Sequence, residues 1–133
     1  MSKISQRIVA MATCILRKPP EQTSPSGHAV AMMLAHAAWN HAVQGGPDFN
    51  VEFIRRWIRP EAERNPGCLQ ELKSPDLLVL LHEMVSMKRA RYPRDRRVIL
   101  ACEFTPQRTL RVNSMVRAED LAHHDQEHEQ AQG

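Results

Sequence analysis

The sequence predicts an α+β domain in which about four helices pack with a C-terminal two-stranded antiparallel hairpin, followed by a disordered acidic tail. Apolar residues recur at helical spacing in most of the chain up to Tyr92. After Pro93 the apolar period changes to two, which is typical of strands. From Ala118 onward the residues are mostly polar and acidic. We therefore assign residues 1–117 to a single globular domain and residues 118–133 to a flexible acidic tail.

The first predicted helix has an apolar face formed by Ile4, Ile8, Met11 and Ile15. Ser2 is a candidate N-cap for this helix. Pro19 and Pro20 end it, because proline cannot continue the helical hydrogen-bond ladder. Residues 19–27 then form a linker that contains proline and glycine.

The second helix is predicted over residues 28–43, with Ser24 or Ser26 as its N-cap. Its many alanines would let a neighbouring helix approach closely. Trp39 is a candidate core anchor, and Asn40 beside it is expected to bond to a neighbouring backbone.

A third helix is predicted to begin after Asn50, which suits an N-cap. Two apolar pairs at i,i+4 spacing form a stripe along it, Phe53 with Trp57 and Ile54 with Ile58. Pro60 suits the first turn of a short continuation, which residues 65–67 would close.

The fourth helix is predicted over residues 76–92. Ser74 suits the cap, Pro75 the first helical position and Asp76 the first turn. The helix is apolar early and basic late, so its first half is expected to be buried on nearly all sides at the centre of the fold. The residues expected to be most deeply buried are Leu78, Leu81 and Val85.

The hairpin is predicted from two alternating runs, residues 98–104 and 110–116, joined by a turn at residues 105–107. The apolar face of the first strand is expected to consist of Val98, Leu100, Cys102 and Phe104.

Charge is concentrated in the last third of the chain. Residues 85–117 hold nine Lys/Arg and two acidic residues, a net charge of +7, whereas the whole chain carries +3. The tail carries −5, from five acidic residues and no Lys or Arg. A basic block beside an acidic tail indicates a surface that binds a polyanion.

We interpret this block as a nucleic-acid-binding surface of a small, non-catalytic accessory or regulatory protein of bacterial type. Arginine-rich turns suit phosphate, and Tyr92 is placed to stack on a base or on an arginine. DNA and RNA are both open as ligands. The candidate binding residues are Lys88, Arg89, Arg91, Tyr92, Arg94, Arg96, Arg97, Arg108 and Arg111.

Two other functions remain open. The basic block would also suit docking on an acidic protein partner, and an enzyme with an unrevealed site is a third possibility. The element order fits a winged helix, but the fourth helix begins with Leu and Val where a reading helix exposes polar residues.

The sequence contains no recognisable catalytic or metal-binding motif. His82-Glu83 begins a metalloprotease pattern, but Ser86 stands where the second histidine is required. Cys14, Cys68 and Cys102 lack zinc spacing and are expected to be reduced thiols. We expect no cofactor, no metal and no membrane partner. The apolar run at residues 8–16 is too short to span a bilayer, which favours a cytoplasmic location.

Overall fold

The computed structural model describes residues 3–105 and 109–123. In those residues the chain forms four α-helices followed by one antiparallel hairpin, which confirms the α+β class. The helices are α1 Ile4–Thr13, α2 Pro25–Gln44, α3 Val51–Arg64 and α4 Leu77–Arg91. The strands are β1 Arg97–Phe104 and β2 Leu110–Val116, and 3₁₀ turns occupy Pro20–Gln22, Cys68–Glu71 and Ala118–His123.

Side-chain caps define where three of the helices begin. Ser24 Oγ accepts from the Gly27 backbone N–H at 3.0 Å, so α2 begins three residues earlier than predicted. Asn50 caps α3 as predicted. The cap of α4 is Asp76 rather than Ser74, because its carboxylate accepts two backbone N–H groups of the first turn. The predicted cap of α1, Ser2, lies outside the described residues.

Helix α3 runs without interruption through Pro60. The continuation predicted at Pro60 is therefore part of the same helix. Proline lacks the N–H that would bond to the preceding turn. Pro60 is exposed, so water can reach the backbone carbonyl that this bond would have satisfied.

The central helix is α2, which packs against the other three helices and against β1. The prediction that α4 lies at the centre is wrong. Small side chains explain the difference, because Ala31, Ala35 and Ala38 are fully buried and let neighbours approach the α2 backbone. In α4, Leu81 and Val85 are buried as predicted, whereas Leu78 is only half-buried.

Two side chains of α2 attach the hairpin to the helical layer. Trp39 is fully buried, and its Nε1–H donates to the Arg97 carbonyl at 2.8 Å. The Asn40 amide donates to the Ile99 carbonyl at 2.9 Å and accepts from the Ile99 N–H at 2.7 Å. These bonds confirm the roles predicted for Trp39 and Asn40, and they fix β1 relative to α2.

A β-bulge interrupts the alternation of β1. Ile99 lies opposite Ser114, but Ala101 lies opposite Asn113, which leaves Leu100 as an extra residue between them. Leu100 is consequently 61% exposed, so the predicted apolar face is wrong at this position. The bulge shifts the alternation by one residue and turns Cys102 to the same side as Ile99.

The ordered chain continues past the predicted start of the tail. Residues Ala118–His123 form a 3₁₀ turn, and the Asp120 side chain within it is buried. The remainder of the predicted tail, residues 124–133, lies outside the described residues. So do residues 106 and 107 of the predicted hairpin turn, although Thr105 N–H donates to the Thr109 carbonyl at 2.9 Å beside them.

Candidate functional site

The basic block divides into an inward and an outward set. The predicted binding residues with exposed side chains are Arg89, Arg91, Arg94 and Arg111. Tyr92 and Arg96 are half-buried, and Lys88 and Arg97 are buried. Arg108 lies outside the described residues. The cations look like one uniform run in the sequence, but they differ in exposure. The end of α4 and the turn after it direct some of them inward and others outward.

Lys88 is the most deeply buried cation of the block, at 1% exposure. Its ammonium donates to the Tyr92 carbonyl at 2.7 Å and to the Asp95 carbonyl at 2.6 Å. It also lies 4.9 Å from the centre of the Trp39 ring. Burial lowers the pKa of Lys88 to about 8, and the charge of Asp95 partly opposes that change. Lys88 therefore stabilises the turn after α4 and does not present its charge to solvent.

Asp95 is fully buried and gathers two arginines. Its carboxylate accepts from the Arg7 guanidinium at 2.9 Å and from Arg97 Nε at 2.9 Å. Burial opposes ionisation of Asp95, but the hydrogen bonds and charge of Arg97, with the charge of Arg7, hold its pKa below the usual range. The group joins α1 to the start of β1 and fixes Arg97 inside the protein.

Arg96 is held by the turn at the end of the described chain. Its Nη2 lies 2.9 Å from Asp120 Oδ1 and 2.8 Å from the Val43 carbonyl. Arg117 Nε donates to the other Asp120 oxygen at 2.7 Å. Hydrogen bonds from Arg117 and then from Arg96 outweigh desolvation and lower the pKa of Asp120. One acid of the predicted tail thus offsets charge from the basic block.

The remaining cations lie at the C-terminal end of α4, in the turn after it and on the hairpin. Within residues 3–105 and 109–123, Arg89, Arg91 and Arg94 form no ion pair. Arg91 reaches towards the end of α1, where its Nη1 lies 4.0 Å from Cys14 Sγ. Arg111 is also exposed, but it lies opposite Glu103 in the hairpin register. The concentrated positive charge is therefore at the end of α4.

Tyr92 is covered from two sides. The Arg7 guanidinium lies 4.5 Å from the centre of its ring, and the Trp39 ring lies at 5.9 Å. These contacts give the ring a structural role and leave less of its surface for stacking on a base.

A cleft of about 260 Å³ lies between α2, α3 and the hairpin, lined by His36, Trp57, Cys102 and Phe104 among others. Burial lowers the pKa of His36, with a weaker opposing effect from the Ile99 backbone. Burial also raises the pKa of the Cys102 thiol to about 11. Near neutral pH the thiol is thus protonated and poorly suited to nucleophilic attack.

Sequence reasoning missed a second pair of cations, Arg17 and Arg55, which line one cleft beside the segment before α4. They come from distant parts of the chain, so no local pattern relates them. It also missed Arg7 as a partner of the basic block. Arg7 lies 88 residues before Asp95, so no local pattern relates the two.

Neither a metal centre nor a membrane span is found in the part of the chain that the structure describes. No group of three or more His, Cys, Asp or Glu side chains in residues 3–105 and 109–123 is arranged to hold a metal ion. No helix in these residues combines the length and apolar character needed to cross a bilayer. No protein-family model, curated protein or solved structure matches the chain.

Proposed function

We propose that this chain is a non-catalytic, cytoplasmic accessory or regulatory protein of bacterial type that binds nucleic-acid phosphates. The surface is the C-terminal end of α4 with the adjoining hairpin. The observation that carries the proposal is the exposure of Arg89, Arg91 and Arg94 without an ion pair in residues 3–105 and 109–123.

The chemistry of this surface suits phosphate. A guanidinium offers several donors in a planar fork and remains charged at all relevant pH values. Three such groups at one helix end attract a polyanion and release its counterions on binding. Lys88, Arg96 and Arg97 support the surface from inside and are left out of the proposed contact set.

Fluorescence anisotropy with duplex and single-stranded oligonucleotides tests the proposal. The variant changes Arg89, Arg91 and Arg94 to Gln. Each lost phosphate contact removes about 0.9 from the slope of log affinity against log salt on duplex DNA, so the slope should become shallower by about 2–3.

The matched control changes Arg56, Arg59 and Lys73 to Gln. These residues are also exposed, and the control removes the same total charge. We expect it to keep most of the wild-type affinity and slope. An equal loss in both variants would show non-specific attraction to net charge. Absence of measurable binding by the wild type at low salt would overturn the proposal.

The rival function, docking on an acidic protein partner, is favoured by one observation. Leu100 and Met115 on the hairpin are 61% and 46% exposed. Exposed apolar residues suit a protein surface better than a phosphate backbone. A pull-down with and without nuclease separates the two functions. Generic DNA or RNA should displace a nucleic-acid ligand and leave an acidic protein bound.

A further inference from the structure

A second concave site lies away from the basic block. Its volume is about 310 Å³, and it is formed by the segment after α1, one face of α3 and the approach to α4. Arg17 and Arg55 line it together with the side chains of Ser74, Leu69 and Leu77. Its complete lining contains two arginines and no acidic residue.

Backbone pairing fixes the position of Arg17. Its N–H donates to the Glu71 carbonyl at 2.9 Å, and the Lys73 N–H donates to the Ile15 carbonyl at 2.8 Å. The Arg17 Nε–H also donates to the Leu72 carbonyl at 2.7 Å. This bond orients the guanidinium plane and leaves both Nη groups for other acceptors.

The charge of the cleft is unbalanced. Neither Arg17 nor Arg55 forms an ion pair with any acid in residues 3–105 and 109–123. Two cations that line one cavity repel each other, and an anion between them would remove that repulsion. The only other polar side chains in the lining are Gln70 and Ser74, and both can hydrogen-bond to an oxyanion.

We propose that this cleft binds a small organic phosphate monoester. The phosphate carries a charge of about −1.5 to −2 near neutral pH, which matches two guanidinium groups. The leucines and Pro75 supply an apolar wall for the organic part of the ligand. The volume lies at the lower end of the range for small-molecule sites. The site is separate from the proposed nucleic-acid surface and does not depend on it.

Titration with phenyl phosphate, followed by amide NMR shifts, tests the site. We expect saturable shifts centred on Arg17, Arg55, Leu69 and Ser74. Phenol, which lacks the phosphate, should cause none of them. Inorganic phosphate should bind more weakly than phenyl phosphate, because it makes no contact with the apolar wall.

Two variants locate the binding energy. Arg17→Gln and Arg55→Gln should each weaken phenyl phosphate binding about tenfold or more. If Arg17→Gln lowers the melting temperature, Arg55→Gln is the decisive variant. Arg55 is exposed and makes no ion pair in the described ranges, so its replacement should leave the fold stable. The matched control is Arg56→Gln, an exposed arginine of α3 that does not line the cleft.

Some outcomes would overturn the site. These are no saturable binding, shifts centred elsewhere, equal binding of inorganic phosphate and phenyl phosphate, or an equal loss in Arg56→Gln. The Arg89, Arg91 and Arg94 triple variant should bind phenyl phosphate as the wild type does. Failure of that variant to bind DNA therefore bears on the nucleic-acid proposal alone.

Discussion

The basic block contains two sets of cations that lie close together in sequence and differ in environment. Lys88 and Arg97 are buried, whereas Arg89 and Arg94 are exposed. Both buried cations donate hydrogen bonds to Asp95, so their charges face groups inside the protein. The exposed pair has no such partner in the described residues. Net charge over a segment therefore overstates the charge that a ligand meets.

The largest effect should come from Asp95→Asn. The change removes the carboxylate charge that pairs with the buried Arg7 and Arg97, and breaking such a pair typically costs about 3–5 kcal/mol. Denaturant unfolding would measure the loss. Glu83→Gln is the control, because Glu83 is exposed on α4 and should change stability by less than about 0.5 kcal/mol. Similar results for both variants would mean that Asp95 does not organise the buried set.

Residue types and spacing were enough to predict the helices, the hairpin and the cap at Asn50. These features depend on local backbone chemistry. The burial of Lys88 and Arg97 was not predictable in this way, because it depends on their contacts with Trp39 and Asp95, respectively. Nothing in the sequence around Lys88 indicates that it contacts a tryptophan from another helix.

The bulge and the central helix show the same limit. One extra residue at Leu100 changes which side chains of β1 face inward, and no turn residue marks it. The central position of α2 depends on small side chains that let several elements pack against it. The alanine content of this helix predicted close packing against one neighbouring helix only. The sequence thus predicted which segment contains the candidate site. The fold determines which residues of that segment are exposed.

The second effect concerns Lys88 and pH. Burial lowers the pKa of Lys88 from 10.5 to about 8, so between these values the unfolded chain binds more protons than the folded one. Lys88 should therefore add a contribution to the free energy of unfolding that grows by on the order of 1–3 kcal/mol between about pH 8 and 10.5. Above pH 9 the Cys102 thiol, whose pKa burial raises to about 11, acts in the opposite direction. Below pH 8 the group is charged in both states and contributes no slope.

Lys88→Met should remove that contribution, so its free energy of unfolding should rise less with pH than that of the wild type in denaturant unfolding at pH 7.5, 9 and 10.5. Lys73→Met, an exposed control, should keep the wild-type pH dependence. If wild type and Lys88→Met had parallel pH profiles, the buried lysine would not titrate in this range.

A smaller effect is expected for Asp120→Asn. The change weakens the bonds to Arg96 and Arg117, whose side chains are about a quarter exposed, so solvent screening limits the loss to about 1–2 kcal/mol. Thermal unfolding would measure it. Glu119→Gln alters a 68% exposed neighbour and should be nearly neutral. Equal stability of the two variants would indicate that the Ala118–His123 turn does not hold Arg96.

The smallest effect on stability should come from changing Arg89, Arg91 and Arg94 together to Gln. Exposed charges contribute little, and the loss of favourable interaction with the C-terminal end of α4 is offset by relief of repulsion among the three cations. We expect a change below about 0.5 kcal/mol. Arg97→Gln alone should cost at least about 2 kcal/mol, because it breaks a buried pair with Asp95. One buried arginine should thus outweigh three exposed ones in denaturant unfolding, while the order reverses in the salt slope of DNA binding. If the triple variant instead unfolded as readily as Arg97→Gln, the exposed arginines would be structural, and the division between the two sets would fail.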